Sequence, residues 1–92
     1  METGTIEAKV RSVFAETLCN DEWLTMPGNS TLEQAGVESL EQMEVIIALE
    51  VAFGLELPDT EALENVTSVE GAGAFVCQKL GERGARAVSE AA

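Results

Sequence analysis

The stretch S-L-E-Q-M-E-V-I-I-A-L-E-V-A-F, from Ser39 to Phe53, has apolar residues on two faces of one helix. The first face is formed by Gln42, Val45, Ile46, Leu49 and Phe53. The second is formed by Leu40, Met43, Ile47 and Val51, flanked by Glu41, Glu44 and Glu50. We expect the first face to pack in the core of a helical domain. The second is buried either by a neighbouring helix or by a partner protein, and periodicity alone does not choose between them.

The residues before this stretch predict one more helix and a long loop. A helix is predicted from about Thr5 to Cys19, because apolar residues recur there at helical spacing: Ile6, Val10, Val13, Phe14 and Leu18. The polar segment 20–38 is predicted to be a loop, with a capping-box turn, S-T-L-E, at 30–33. We expect four apolar residues to anchor the loop, namely Trp23, Leu24, Leu32 and Val37.

The residues after the stretch predict two further helices. A short third helix is expected from Asp59 or Thr60 to about Asn65. The capping box T-S-V-E at 67–70 predicts the start of a last helix, with an inner face of Val69, Ala72, Val76 and Leu80. We expect residues 1–81 to form a single domain and residues 82–92 to be a frayed tail. The predicted fold is all-α, a small four-helix bundle with a long first loop and a short third helix.

The acidic charge of the chain and its lack of histidine limit the classes of function that it can have. Among 92 residues, 17 are acidic and 5 basic, with a net charge of -12 and no basic residue between Arg11 and Lys79. Such a surface repels nucleic acid and attracts partners with basic patches. The chain has no histidine, which disfavours catalysis by the chain alone. Cys19 and Cys77 lack metal-site spacing and are expected to be reduced core or boundary residues.

Membrane and export signals are not evident in this sequence. The beginning, M-E-T-G-T-I-E-A-K, lacks the basic and apolar regions of a signal peptide, and no apolar run is long enough to span a bilayer. We therefore expect a cytoplasmic protein that does not associate with membranes.

Ser39 has a purely structural explanation as well as a functional one. With Gln42 it has the S-x-x-Q form of a capping box, and serine is among the preferred N-cap residues. Capping does not account for the surroundings of Ser39, however. An acidic residue precedes it, a leucine follows it, and an apolar stripe with acidic flanks continues along the same helix.

From about Leu32 to Leu80 the sequence resembles the acyl carrier proteins and, more widely, the peptidyl and aminoacyl carriers. The resemblance lies in an ordered set of motifs: T-L-E-Q-A-G-V-E-S-L at 31–40, M-E-V-I-I-A-L-E-V-A-F at 43–53, L-E-L-P-D at 55–59 and V-T-S-V-E at 66–70. A Ser-Leu pair alone would be a weak signal, whereas the ordered set with its spacing is specific.

The resemblance implies a carrier of the acyl carrier protein fold rather than an enzyme. The hydroxyl of Ser39 would accept 4′-phosphopantetheine from coenzyme A through a Mg-dependent transferase, and the thiol of that arm would hold acyl groups as thioesters. The residues that match the family's docking positions are Glu38, Leu40, Glu41, Met43, Glu44, Ile47 and Glu50. The implied partners are the phosphopantetheinyl transferase, an acyl-loading enzyme, and a ketosynthase or other thioester-processing enzymes with basic docking patches. We expect a free-standing monomer.

Three positions depart from the usual pattern of the family. Glu38 replaces the usual aspartate, Val51 stands where an acidic residue is common, and Gly73 stands where a larger apolar residue is common. The first two favour polyketide or hybrid natural-product biosynthesis, and Gly73 predicts a looser core or room for a bound chain. The alternatives are a carrier for fatty acid synthesis, an aminoacyl or peptidyl carrier, or an unmodified acidic helical adaptor.

Overall fold

The computed structural model describes the backbone of residues 3–91 and the side chains of residues 5–82. Within that range the chain forms four α-helices: α1 (Thr3–Thr17), α2 (Ser39–Phe53), α3 (Asp59–Asn65) and α4 (Val69–Ala91). A short 3-10 helix, Asp21–Leu24, lies in the long loop between α1 and α2. No strand longer than the isolated bridge between Thr31 and Ser68 occurs in the described residues. The predicted all-α bundle, with a long first loop and a short third helix, is confirmed.

The core lies where α1 contacts α2 and α4, and α3 closes it by contacting α2 and α4. The predicted inner faces of α1, α2 and α4 are confirmed, since their apolar residues belong to one buried cluster or pack against it. Phe75 of α4 joins this cluster as well. The core consists mainly of aliphatic side chains, with Phe14 and Trp23 in edge-to-face contact at 5.3 Å between ring centroids.

The long first loop is fastened to the bundle by burial and by Arg11. Trp23 and Leu32 are buried as predicted, whereas Leu24 is 46% exposed, so its predicted anchoring role is wrong. The Arg11 guanidinium donates hydrogen bonds to the carbonyl oxygens of Trp23, at 3.1 Å, and Met26, at 2.6 Å. One side chain of α1 thus satisfies two loop carbonyls, which keeps a long polar connection ordered.

Two caps lie one residue further along than the sequence predicts. In the loop, the reciprocal pair is Thr31 with Gln34, not Ser30 with Glu33. Each backbone N–H of that pair donates to the other residue's side chain at 3.0 Å. Before α4, the Ser68 hydroxyl accepts the N–H of Gly71 at 3.0 Å, so Ser68 is the capping residue, not Thr67. The backbone of Leu32 also donates to the carbonyl of Thr67 at 2.8 Å, which joins the two turns.

The ends of the helices follow local turn chemistry. Helix α1 covers Thr3–Thr17 and not the predicted 5–19, and Cys19 adopts a left-handed backbone with φ of 52°. Helix α2 ends at Phe53 and is followed by Gly54, whose φ of 63° is the left-handed conformation that glycine adopts without steric cost. Both cysteines are free and exposed, so the expectation of core or boundary positions is wrong.

Helix α4 continues past Leu80, and its backbone is helical as far as Ala91. The side chains of residues 83–92 lie outside the described part, so fraying of residues 82–92 stays a prediction. Among the described residues, no helix is both long and apolar enough to cross a membrane.

Candidate functional site

Ser39 is the first residue of α2, and its side chain is exposed. The N-cap position belongs to Glu38, whose extended backbone has φ of -84° and ψ of 162°. The carbonyl of Glu38 accepts the N–H of Gln42 at 3.0 Å, and the Glu41 carboxylate accepts the N–H of Glu38 at 3.1 Å. The prediction that Ser39 caps the helix is therefore wrong. The capping box is the pair Glu38 and Glu41, which leaves the Ser39 hydroxyl without a capping role.

The approach to Ser39 is a tight turn held by backbone hydrogen bonds. The N–H of Val37 donates to the carbonyl of Leu32 at 2.9 Å, and Gly36 has φ of 79°, in the left-handed region. A side chain at position 36 would be strained by this backbone conformation. Since Leu32 is buried and Val37 packs against the core, the turn places Ser39 at a defined point on the surface.

The Gln42 side chain does not take part in capping α2. Its amide donates two hydrogen bonds to carbonyl oxygens at the end of α3, to Leu63 at 3.1 Å and to Val66 at 2.8 Å. The last carbonyls of a helix have no partners within that helix. Gln42 therefore connects the first turn of α2 to the C-terminal end of α3. In the sequence Gln42 lies at the end of the core stripe of α2, and its spacing does not predict this contact.

An open groove of about 560 Å³ lies beside Ser39. Its lining includes Ser39 and Gln42 of α2, Thr31 and Leu32 of the first loop, Leu63 of α3, and Thr67. Leu63 was missed by the sequence analysis. In the sequence, the available signal is an apolar residue of the short third helix that belongs to no predicted core face, and in the structure Leu63 is 39% exposed.

The second apolar face of α2 is mostly open to solvent. Leu40 is 72% exposed, Ile47 54% and Val51 80%. Met43 differs, because it is only partly exposed and packs against the core cluster. Neighbouring helices of this chain therefore leave three of the four residues of this face uncovered, and the face is available to a partner.

The acidic residues predicted for docking fall into two groups. Glu38 and Glu44 have exposed side chains. Glu41 and Glu50 are partly buried and bound within the chain: Glu41 to the N–H of Glu38, and Glu50 to the N–H of Leu57 at 3.0 Å. Glu50 thus stabilises the turn between α2 and α3, a role that the sequence analysis did not assign.

Each basic side chain in the described range, 5–82, has a partner within the chain. Lys9 lies 4.9 Å from the centroid of the Phe53 ring, and Arg11 holds the first loop. Lys79 contacts Glu61 at 2.9 Å and Glu82 at 3.3 Å, and the hydrogen bond with Glu61 is the main cause that raises the pKa of Lys79.

Comparison with known proteins identifies the family. Residues 8–76 match the family model described as "Phosphopantetheine attachment site". The chain is also similar to an acyl carrier protein from Rubrobacter xylanophilus, with 38% identity over 78 residues, which is 85% of this chain and 95% of that protein. The matched range contains α2, its exposed apolar face and the groove. The chain belongs to the acyl carrier protein family, whose members carry a covalently attached 4′-phosphopantetheine and act as carriers, not as catalysts.

Proposed function

We propose that Ser39 is the residue that carries the 4′-phosphopantetheine arm. The observation that supports this most directly is the exposed hydroxyl at the first position of α2, beside a groove and within the range matched by the family model. The arm would hold acyl groups as thioesters, which requires no nucleophile or base from this chain. The chain's own part is to position the attachment point and to present a surface to the enzymes that process the cargo.

The residues around Ser39 fit a phosphodiester at this point. The start of a helix has unpaired N–H groups and the positive end of the helix dipole, which favours an anion by roughly 0.3–1 kcal/mol. The carboxylate of Glu38 opposes this by like-charge repulsion, but its side chain is exposed and therefore well screened by solvent. Glu41 is already bound to the N–H of Glu38.

The test is incubation with coenzyme A and a broad-specificity phosphopantetheinyl transferase, followed by intact-mass measurement. We expect wild-type protein to gain the mass of one arm and Ser39→Ala to gain none. Ser12→Ala is the matched control, because Ser12 is an exposed serine on α1, and it should gain the arm like wild type. Absence of a mass gain on wild type would reject the assignment and favour an unmodified acidic adaptor, whereas an equal gain on Ser39→Ala would place the arm on another residue.

Membership of the family implies interaction with a phosphopantetheinyl transferase and with acyl-processing enzymes. The proposed docking surface combines the exposed apolar residues Leu40, Ile47 and Val51 with the exposed acids Glu38 and Glu44. The acids lie toward the start of α2, whereas Val51 lies near its end. A partner that matches this pattern has Lys or Arg near the arm and an apolar patch further along, and candidates are an acyl-loading enzyme or a ketosynthase.

For the pathway, polyketide or hybrid natural-product biosynthesis is the proposal. It is supported by Glu38, one methylene longer than the aspartate usual in the family, and by Val51, which is 80% exposed where the family commonly has an acidic residue. Intact-mass analysis of the protein purified from its native host tests the proposal, since the acyl group on the arm indicates the pathway. A long saturated chain would instead indicate fatty acid synthesis, and an aminoacyl group an aminoacyl or peptidyl carrier.

A further inference from the structure

The groove beside Ser39 leads to the contact between α2 and α3. Gln42 forms part of the lining, and its amide connects α2 to the carbonyls of Leu63 and Val66 at that contact. Ile46 lies one helical turn after Gln42 on the same face of α2 and is fully buried. A chain that moved from the groove into the core between the two helices would therefore meet the Gln42 amide first.

The side chains next to the Gln42 contact are fully buried. Ala62 of α3 and Val66, which follows α3, are fully buried like Ile46, and α2 and α3 are in contact. To admit an alkyl chain, α3 has to move away from α2, and both hydrogen bonds of Gln42 have to break. The released carbonyls then lie next to apolar chain atoms, where an unpaired polar group is unfavourable.

The groove itself suits a different kind of cargo. Its lining combines the apolar Leu32, Val37 and Leu63 with Thr31 and Thr67, which carry hydroxyls, and with the acidic Glu33 and Glu38. A long saturated chain would leave much of its surface in water or against polar atoms in this open site. A short acyl group with oxygen substituents can hydrogen-bond to the hydroxyls and keeps the rest of its surface small.

We infer that Gln42 is a latch that keeps the acyl chain on the arm out of the core between α2 and α3, so that this protein presents short or polar acyl groups outside the bundle. The inference rests on the proposed attachment at Ser39. Gln42 is a positioning residue: its hydrogen bonds hold α3 against α2, and this contact determines which acyl chains can enter the bundle. Because burial of each additional methylene favours entry, the latch matters most for longer chains.

The experiment loads acetyl and octanoyl forms of the arm from the corresponding acyl coenzyme A with a broad-specificity transferase. Three proteins are compared by thermal unfolding: wild type, Gln42→Met and Gln78→Met. Methionine keeps the approximate volume of glutamine but cannot donate a hydrogen bond. Gln78 is exposed on α4, in the separate groove between α1 and α4, and supplies the matched control.

In wild type and Gln78→Met we expect the octanoyl and acetyl forms to have melting temperatures within about 1 °C of each other. In Gln42→Met we expect the octanoyl form to melt about 4 °C or more above the acetyl form, because the chain then enters the core. A merely structural role of Gln42 would lower both melting temperatures together. If the difference in melting temperature between the octanoyl and acetyl forms were equal in all three proteins, whether large or small, the proposed role of Gln42 would be rejected.

Wild-type protein alone gives a second measurement, which does not depend on the folding of a variant. Hydroxylamine should cleave the octanoyl and acetyl thioesters on the protein with the same rate ratio as the two free coenzyme A thioesters. Selective protection of the octanoyl thioester on wild type would overturn the inference. Failure of the proposed function is distinguishable, because wild type would then gain no mass at the loading step.

Discussion

Single carboxylates on α2 have different roles that their exposure and hydrogen bonds reveal. Glu44 points to solvent, so its contribution is to the field that a partner meets. Glu50 is partly buried, and its carboxylate accepts the N–H of Leu57, a residue whose side chain is buried in the core. The two residues look equivalent in the sequence, since both flank the same apolar face. They differ because the turn after α2 brings the N–H of Leu57 next to Glu50.

Substitution of these two glutamates should separate stability from docking. Glu50→Ala removes the acceptor for the partly buried N–H of Leu57, and we expect a loss of about 1–2 kcal/mol in the free energy of unfolding. Glu44→Ala should change that free energy by no more than about 0.5 kcal/mol, as for other exposed positions, and should slow association with a basic partner. Urea denaturation and stopped-flow binding measure the two effects.

Glu50→Gln is the control for this pair, because the amide oxygen still accepts a hydrogen bond while the charge is removed. Its stability should stay close to that of wild type. If Glu50→Gln and Glu50→Ala lost equal stability, the charge and not the hydrogen bond to Leu57 would be the stabilising feature.

Two glycines of helix α4, Gly71 and Gly73, have opposite surroundings. A Cβ atom at Gly71 would lie 2.6 Å from the carbonyl oxygen of Asn65, at the end of α3. A Cβ atom at Gly73 would have no atom within 4 Å. Gly71 therefore permits the close approach of α3 to α4. Gly73 lines an open groove of about 540 Å³ between α1 and α4, so the room that the sequence predicted lies at the surface and not in the core.

The same substitution at these two positions should change stability in opposite directions. Gly73→Ala should raise the free energy of unfolding by up to ~1 kcal/mol, since alanine is the better helix former and its methyl group meets nothing. Gly71→Ala should lower it by about 1–3 kcal/mol, because the backbone of α3 must move away. Thermal or urea unfolding of the two variants checks both signs, and a gain in stability for Gly71→Ala would contradict the close packing of α3 on α4.

For the whole molecule, the main property is an excess of negative charge. The net charge of -12 is spread over a chain of 92 residues. The 17 acidic residues far outnumber the 5 basic ones, and each described basic side chain has a contact within the chain. Such an excess opposes compaction by self-repulsion, while it also attracts basic partners.

Added salt should therefore have opposite effects on stability and on association. We expect the urea midpoint of unfolding to rise between low and physiological sodium chloride, because screening relieves the repulsion. The association rate with a basic partner should fall over the same range. Equilibrium unfolding and stopped-flow binding in matched buffers measure both, and a midpoint that falls with salt would show that attractive ion pairs such as Lys79 with Glu61 dominate instead.

The order of helices, their core faces and the position of Ser39 follow from the sequence, because hydrophobic periodicity and turn residues are local properties of the chain. The positions of three caps, at Thr31, Glu38 and Ser68, cannot be read from the sequence, although each predicted position was within one residue. At each, two adjacent residues could cap, and in the first loop and before α4 the two turns are also joined to each other across the fold. The joining contact is the hydrogen bond from Leu32 to Thr67.

The sequence by itself thus determined the helical bundle, the acidic surface and the serine at the start of α2. Tertiary structure alone decided which side chains of α2 are available. Gln42 and Glu50 are bound to α3 and to the turn before it, whereas Leu40, Ile47 and Val51 are left open. The physical reason is that hydrogen bonds between segments distant in sequence depend on how the helices pack, which periodicity does not encode.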